Sequence, residues 1–305
     1  MQSNILKPRL STSVFSLFFL LGFSSHHAKA DIQIKDDSGY LLHLIQPAKR
    51  VISLSPGLTE LIYAAGGQKV IKGVVSYSDY PEQAKSLKQI GSYNALDMEK
   101  ILLLKPDLIV AWKSGNPVHQ IEQLRNLGLA VYVSEPSDFM AIPETIKKFG
   151  KLMATETIAN QNANEFTQEF NHLKQHYNNK KNLFNSASKP RVFIQIWNKP
   201  VMSINQAHLI SKVISFCGGE NIFAQTKSLT SNPSIEAILS ADPEIIIATG
   251  MADASKVWLN RWRQWAFLSA VKNNRLYATN PDHLVRHTPR ILLGIKEVCQ
   301  LINPE

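Results

Sequence analysis

The chain has 305 residues, 44% of them hydrophobic, and a formal charge of +9. That length holds one large core or two ordinary ones. Its basic residues are scattered, with no Lys/Arg block and no aromatic stripe between them, so a phosphate-tracking surface is excluded and no nucleic-acid partner is expected.

Residues 1–30 read as a secretory signal peptide. Lys7 and Arg9 form the charged region, Val14 to Phe23 the apolar run, and Ala28-Lys29-Ala30 the small residues that a peptidase reads. The apolar run is short for a permanent membrane anchor. No cysteine lies near the cleavage position, which argues against a lipid anchor. The mature protein is expected to begin near Asp31 and to work outside the cytoplasm. In such an oxidising compartment the isolated cysteines, Cys217 and Cys299, are most simply a disulfide, with free buried thiols as the alternative.

After an extended start, Arg50 to Leu54 reads as a buried strand. Ser55-Pro56 turns it into a short helix, Thr59 to Ala65, closed by Gly66-Gly67. Val70 to Val75 is the next strand and runs into the polar aromatic loop Ser76-Tyr77-Ser78-Asp79-Tyr80-Pro81. Asp97 to Leu104 is a helix, Leu108 to Trp112 a strand, Ser114-Gly115-Asn116 a turn into a helix around Ile121 to Leu124, and Ala130 to Val133 a strand. A long helix follows, from about Glu156 to Asn182. Ile158, Ala163, Phe166, Phe170, Leu173 and Tyr177 recur near the helical period, with Glu156, Glu165, Glu169 and Lys174 on other faces.

Beyond it the pattern resumes. Strands are expected at Arg191 to Ile196, Glu244 to Ala248 and Arg275 to Thr279. Helices are expected at Ala207 to Phe216, Ile235 to Leu239, Trp258 to Trp265 and Pro289 to Leu301. Short buried strands alternating with helices imply parallel sheets covered by helices. The expected fold class is therefore α/β, with two parallel-sheet α/β lobes joined by a single long backbone helix and a ligand cleft between the lobes. The boundaries are 1–30 for the signal peptide, 31–154 for the N-terminal lobe, 155–183 for the inter-lobe helix and 184–305 for the C-terminal lobe.

The halves share more than fold class. Met98-Glu99-Lys100-Ile101-Leu102 leads to Pro106-Asp107-Leu108-Ile109-Val110-Ala111, and Ile235-Glu236-Ala237-Ile238-Leu239 leads to Pro243-Glu244-Ile245-Ile246-Ile247-Ala248 at the same spacing. Each unit is a helix, a proline break and a buried strand, with one glutamate in the first helical turn. A carboxylate there complements the helix dipole. Two of them at matched positions also offer a two-pronged contact to a dimeric partner carrying arginines.

Ligands of open parallel sheets bind beyond the carboxyl ends of the strands. The loops there carry Tyr77, Tyr93, Trp112, Trp197-Asn198, Met202 and the Asp282 to Arg286 segment. Aromatic side chains cover flat ligands at low entropy cost, and Asp282 and Arg286 add hydrogen-bonding groups. No nucleophile elbow, zinc helix, phosphate loop or dinucleotide fingerprint is present, so no catalytic residue is assigned and a secreted hydrolase lacks its machinery. His172 and His176 lie four apart on the long helix and read as solvated. His283 and His287 keep a metal or haem reading open.

Val51-Ile52-Ser53-Leu54-Ser55-Pro56 with Thr59-Glu60, Ser76-Tyr77-Ser78-Asp79-Tyr80-Pro81, Lys105-Pro106-Asp107-Leu108-Ile109, Cys217-Gly218-Gly219-Glu220-Asn221-Ile222-Phe223 and Pro289-Arg290-Ile291 resemble the periplasmic solute-binding proteins of cobalamin (vitamin B12) ABC importers. The resemblance covers nearly the whole mature chain. Its Lys-Pro-Asp and Gly-Gly-Glu-Asn pieces are shared with siderophore and haem carriers, which leaves such a carrier as the alternative function. The resemblance implies a periplasmic, monomeric, non-enzymatic carrier with no cofactor, holding the corrin ring in a cleft that closes little. It implies ligand contacts at Tyr77, Tyr93, Trp112, Met202, Thr230, Asp282 and Arg286, and docking of Glu99 and Glu236 on arginines of an inner-membrane permease dimer with its ATPase subunits. It also implies a Cys217–Cys299 disulfide. The chain departs from the family where Tyr93 and Thr230 replace tryptophans and Met202 replaces a phenylalanine.

Overall fold

Short runs of β-branched residues with no polar alternation are buried on both faces, and here they form two parallel sheets. The computed structural model describes residues 1–2, 31–183, 189–250 and 254–304; the expected signal peptide, apart from its first two residues, lies outside them. The N-terminal sheet has five strands in the order Lys88–Gln89, Ile71–Val74, Val51–Ser53, Leu108–Trp112, Val131–Ser134. The C-terminal sheet has four, in the order Glu220–Asn221, Arg191–Gln195, Ile245–Ala248, Leu276–Ala278. Every pairing in both is parallel. The expected α/β class with two lobes is the observed one.

The sequence repeat is a structural repeat. Helix Met98–Leu103 starts at Asp97, whose carboxylate accepts the Lys100 N–H, and helix Ile235–Ala241 starts at Ser234, whose hydroxyl accepts the Ala237 N–H. A left-handed residue stands before the proline in each, Lys105 at φ 43° and Asp242 at φ 41°. The acid after the proline then ties down the neighbouring strand. Asp107 accepts the Lys49 and Arg50 N–H groups at 2.9 and 2.8 Å, and Glu244 accepts the Arg191 N–H at 2.9 Å. Both joints satisfy backbone donors that would otherwise start a strand unpaired.

A helix that the sequence reading omitted, Ala141–Met153, precedes the backbone helix. Its Pro143 and Gly150 look like breakers but are not. Pro143 lies in the first turn, where no intrahelical N–H bond is needed. At Gly150 a Cβ would overlap the Ala159 methyl, so glycine lets the two helices touch. The backbone helix itself runs Glu156–Leu183, 28 residues. It is seated on the N-terminal lobe by two caps: Thr155 Oγ1 donates to Ala65 O, and Asn162 Nδ2 to Ala64 O at 2.7 Å, satisfying carbonyls at the end of helix Pro56–Ala64. Ile158 is 44% exposed although the helical pattern counted it among the apolar set; its neighbour Ala159 takes the buried position.

Three aromatic rings join the lobes to this helix. Phe139 of the N-terminal lobe and Phe216 of the C-terminal lobe both pack on Phe170, with centroids 5.0 and 5.6 Å away, and on each other at 5.8 Å. One hydrophobic core consequently runs from Ile32 to Ile302 through both lobes. The tryptophan-rich segment breaks into helix Ala254–Asn260 and a 3₁₀ turn, Arg261–Gln264, which lets buried Trp262 Nε1 donate to Gln195 Oε1 at 2.9 Å.

Cys217 and Cys299 are disulfide-bonded, tying the end of helix Leu209–Phe216 to the terminal helix Ile291–Ile302 across 82 residues of sequence. Closing a loop of that size in the unfolded chain is worth about 4–5 kcal/mol in the chain-entropy model. Replacing both cysteines by serine is expected to lower unfolding free energy by about 2–5 kcal/mol, read from urea denaturation, with the folded-state circular dichroism retained.

Candidate ligand-binding site

The strand ends bring the N-terminal aromatic residues to one rim. Trp112 is the last residue of its strand, and Tyr93 is in the turn between the paired strands Gly91–Ser92 and Ala95–Leu96. Their rings lie 5.9 Å apart at 55°. The indole lies over Gly115, where any Cβ would overlap it. Tyr77 follows strand Ile71–Val74 and has a positive φ of 65°, uncommon for an aromatic residue. The root of its loop is pinned by buried hydroxyls, with Thr59 Oγ1 bonded to Ser53 Oγ at 2.9 Å and to Ser78 Oγ at 3.2 Å. Tyr77 is 67% exposed and Tyr93 44%, so these rings offer surface rather than fill core.

On the C-terminal lobe, Met202 forms a one-pair bridge with Trp197, and Trp197, 41% exposed, sets its edge against Trp258 at 6.1 Å. Thr230 pairs with Ile204 in a two-stranded ribbon and is exposed. Asp282 starts the short helix Pro281–Leu284, capped by Asn280. Arg286 follows it.

Arg286 is where the lobes meet. Nη1 donates to Glu60 Oε1 at 3.1 Å and Asp79 Oδ1 at 2.7 Å, and Nη2 donates to Tyr77 O at 3.1 Å. Asp282 stands 3.1 Å from Nη2. Burial works against this charge, but the Asp79 bond and the acids Asp282 and Glu60 outweigh it, and the guanidinium pKa rises. Arg290 completes the cluster: Nε and Nη2 grip the two oxygens of Glu60, and the guanidinium lies 4.1 Å from the Tyr80 ring centroid. For Asp79, burial raises the pKa and Arg286 lowers it further, so the carboxyl ends below its ordinary range.

Glu60 and Arg290 stand in the motifs that carry the family resemblance, but sequence reasoning gave them no role. The signal was an acid among Leu58, Leu61 and Ile62, because a carboxylate on an otherwise apolar helix must be buried and paired. It also missed Asn116, which it took as a turn residue and which makes three side-chain hydrogen bonds.

The histidine pairs separate. His172 and His176 are exposed on the backbone helix. His283 Nδ1 faces Glu297 at 3.8 Å, whereas His287 Nδ1 donates to Pro136 O of the other lobe at 2.9 Å and its ring lies 5.2 Å from that of His208. No group of three metal-ligating side chains forms among the described residues. Burial, then the neighbouring His287, pulls His208 down to about 3, and burial also lowers His287 against the pull of Glu135.

Glu99 and Glu236 are exposed, each in the first turn of its repeat helix. The Glu236 backbone N–H and the Ser234 hydroxyl hold the Glu236 carboxyl below its ordinary range. A recess of about 1080 Å³ adjoins the junction cluster, lined by Glu60, Tyr80 and Arg290 and by the backbone helix (Ile158, Phe166) and the terminal helix (Leu293). None of the seven expected ligand residues lines it.

A protein family described as periplasmic binding protein matches residues 51–283. The chain belongs to the periplasmic binding protein family. It is a binding protein rather than an enzyme, and the family is periplasmic. The vitamin B12-binding protein of Vibrio cholerae is 38% identical over 260 residues, covering 84% of this chain and 90% of that protein. The vitamin B12-binding protein of Yersinia pestis is 37% identical over 257 residues, covering 84% and 86%. The crystal structure of the periplasmic vitamin B12 binding protein BtuF of Vibrio cholerae superposes with a TM-score of 0.75 at 37% identity, covering 84% of this chain and 97% of that one. A periplasmic heme binding protein from Pseudomonas aeruginosa shares the fold, with a TM-score of 0.73 at 22% identity and coverage of 85% and 94%.

Two outcomes follow for the lobe junction of this binding protein. Glu60→Gln leaves two guanidiniums facing an amide, and unfolding free energy is expected to fall by about 3–5 kcal/mol in denaturant titration. The depressed histidines make folding acid-sensitive. Their folded pKa values lie below the unfolded value near 6.5, so the stability of keeping them neutral is complete above about pH 6.5 and is lost as pH falls from there toward the folded value. His208→Asn, which keeps an oxygen to accept the Ile210 N–H, is expected to flatten the stability–pH curve between about pH 6.5 and 4.

Proposed function

We propose that the protein captures cobalamin or a closely related corrinoid in the cleft between its lobes and delivers it to an inner-membrane ABC permease dimer with its ATPase subunits. The observation that carries this reading is the aromatic rim of exposed Tyr77 and Tyr93 with half-buried Trp112, at the strand ends of a chain 38% identical to a vitamin B12-binding protein across most of both. A corrin is broad, flat and mostly apolar at its faces. Tilted aromatic rings cover such a face and contribute about 1 kcal/mol each beyond area burial. Met202 and Thr230 would meet the ligand from the second lobe. Asp282 and Arg286 would meet its amide periphery, with Arg286 also holding Tyr77.

Capture requires export, which the N-terminal segment supplies as a cleaved signal peptide. Transport then requires release at the membrane, and Glu99 and Glu236 are the docking acids. They stand outside the aromatic rim, so removing them separates docking from binding. The protein acts as a monomer, presenting one acid from each lobe to one subunit each of the permease.

The test is isothermal titration of the chain from Asp31 with cyanocobalamin. Stoichiometric binding at micromolar affinity or tighter is expected, weakened about tenfold or more by Trp112→Ala with the melting temperature retained. No heat and no ligand-induced change in melting temperature would reject the corrinoid, and titration with haem and ferric siderophores would then identify the solute. In the double variant Glu99→Ala, Glu236→Ala, affinity is expected to stay unchanged while cobalamin uptake by cells falls, as docking loses about 2–5 kcal/mol. Undiminished uptake would remove the docking assignment.

A further inference from the structure

One buried amide connects the elements that carry the aromatic rim. Asn116 is 5% exposed. Its Oδ1 accepts the Trp112 backbone N–H at 2.6 Å. Its Nδ2 donates to Leu54 O at 2.9 Å and to Tyr93 O at 2.7 Å. Those three groups belong to the end of strand Leu108–Trp112, the residue after strand Val51–Ser53, and the turn that carries Tyr93. Both donor hydrogens and the acceptor oxygen are therefore engaged, each by a different segment.

The geometry around the indole gives this link a purpose beyond closing a turn. Trp112 and Tyr93 are 19 residues apart in sequence yet pack ring to ring. The backbone of each is bonded to the same side chain. Gly115, next to Asn116, leaves the space in which the indole lies. Asn116 thus fixes the roots of both rings, and Gly115 fixes the bed of one. Asn116 does not cap the helix that follows, whose N-cap is Pro117, and donation to two carbonyls on separate segments has no part in starting one.

We infer that Asn116 is a positioning residue that sets the separation and tilt of the Tyr93–Trp112 pair, and through them the flat surface offered to the ligand. The inference rests on the proposed role of that pair in binding. Asn116→Asp is the sharp variant, because it has nearly the same shape. A carboxylate still accepts the Trp112 N–H, but it meets the Leu54 and Tyr93 carbonyls oxygen to oxygen and cannot donate to either. The Tyr93 turn is released while Trp112 stays anchored at its backbone.

The experiment pairs a readout without ligand and one with it. The purified protein is labelled with 5-fluorotryptophan, giving five ¹⁹F signals, of which Trp112 is the one from the N-terminal half; Trp112→Phe assigns it. In Asn116→Asp the Trp112 signal is expected to shift or broaden while those of Trp197, Trp258, Trp262 and Trp265 stay in place. Cyanocobalamin affinity is expected to fall about tenfold or more, as befits a lost buried donor pair. Combined with Trp112→Ala and Tyr93→Ala, the substitution is expected to cost nothing further, because its effect passes through those rings. An unmoved Trp112 signal, a shift of all five signals together, or a loss of affinity that adds fully to that of the ring deletions would each overturn the inference. If Asn116→Asp does not fold, Asn116→Ser takes its place with the same outcomes. If the wild-type protein ignores cyanocobalamin while Asn116→Asp shows the selective fluorine shift, the ligand is rejected and the positioning role stands.

Discussion

A carboxylate whose side chain is 2% exposed needs cations within bonding distance, and Glu60 has two, Arg286 and Arg290, both from the far end of the chain. An uncompensated charge in that place would cost several kcal/mol. The helix bearing Glu60 and the segment bearing the arginines are therefore held in one relation, and that relation defines the junction. Asp79 and the Tyr77 carbonyl share Arg286, so the same contact that closes the junction also shapes the loop presenting Tyr77. Phe139, Phe170 and Phe216 do the equivalent work in apolar form along the backbone helix. A continuous core runs through both lobes, so on the proposed reading binding at the rim has little ordering left to do.

Charge is distributed to match that division of labour. The acids and arginines of the junction satisfy one another, while Tyr77 and Tyr93 stay exposed. Glu99 and Glu236 are exposed on helices that the two lobes share by design. Their likeness comes from the repeat itself: a capped helix, a left-handed residue before proline, and an acid that clamps the next strand. On the proposed reading, one surface handles the solute and another faces a symmetric partner.

Much of the fold was legible because its signals are local. Buried strands such as Ile245–Ala248 announce themselves as apolar runs, and the Lys105-Pro106-Asp107 and Asp242-Pro243-Glu244 joints repeat in spelling as well as in shape. The omitted helix Ala141–Met153 shows the limit of local reading. Pro143 and Gly150 count as breakers until the first turn and the Ala159 contact are known, and the second is a tertiary fact. The candidate site followed the same rule. Tyr77, Tyr93 and Trp112 were visible as aromatic residues at strand ends. Asn116 was not, because its three partners lie 4, 23 and 62 residues away in sequence. Glu60 and Arg290 meet across 230 residues, and only the assembled lobes pair them.

The most direct test is a crystal structure of the protein with cyanocobalamin. The expected result is a corrin lying against Trp112 and Tyr93 between the lobes, with Glu60 still paired to Arg286 and Arg290 and backbone shifts of about 1 Å or less at the junction. A corrin seated in the flank recess beside Phe166, or a closure of the lobes that breaks the Glu60 pair, would contradict it.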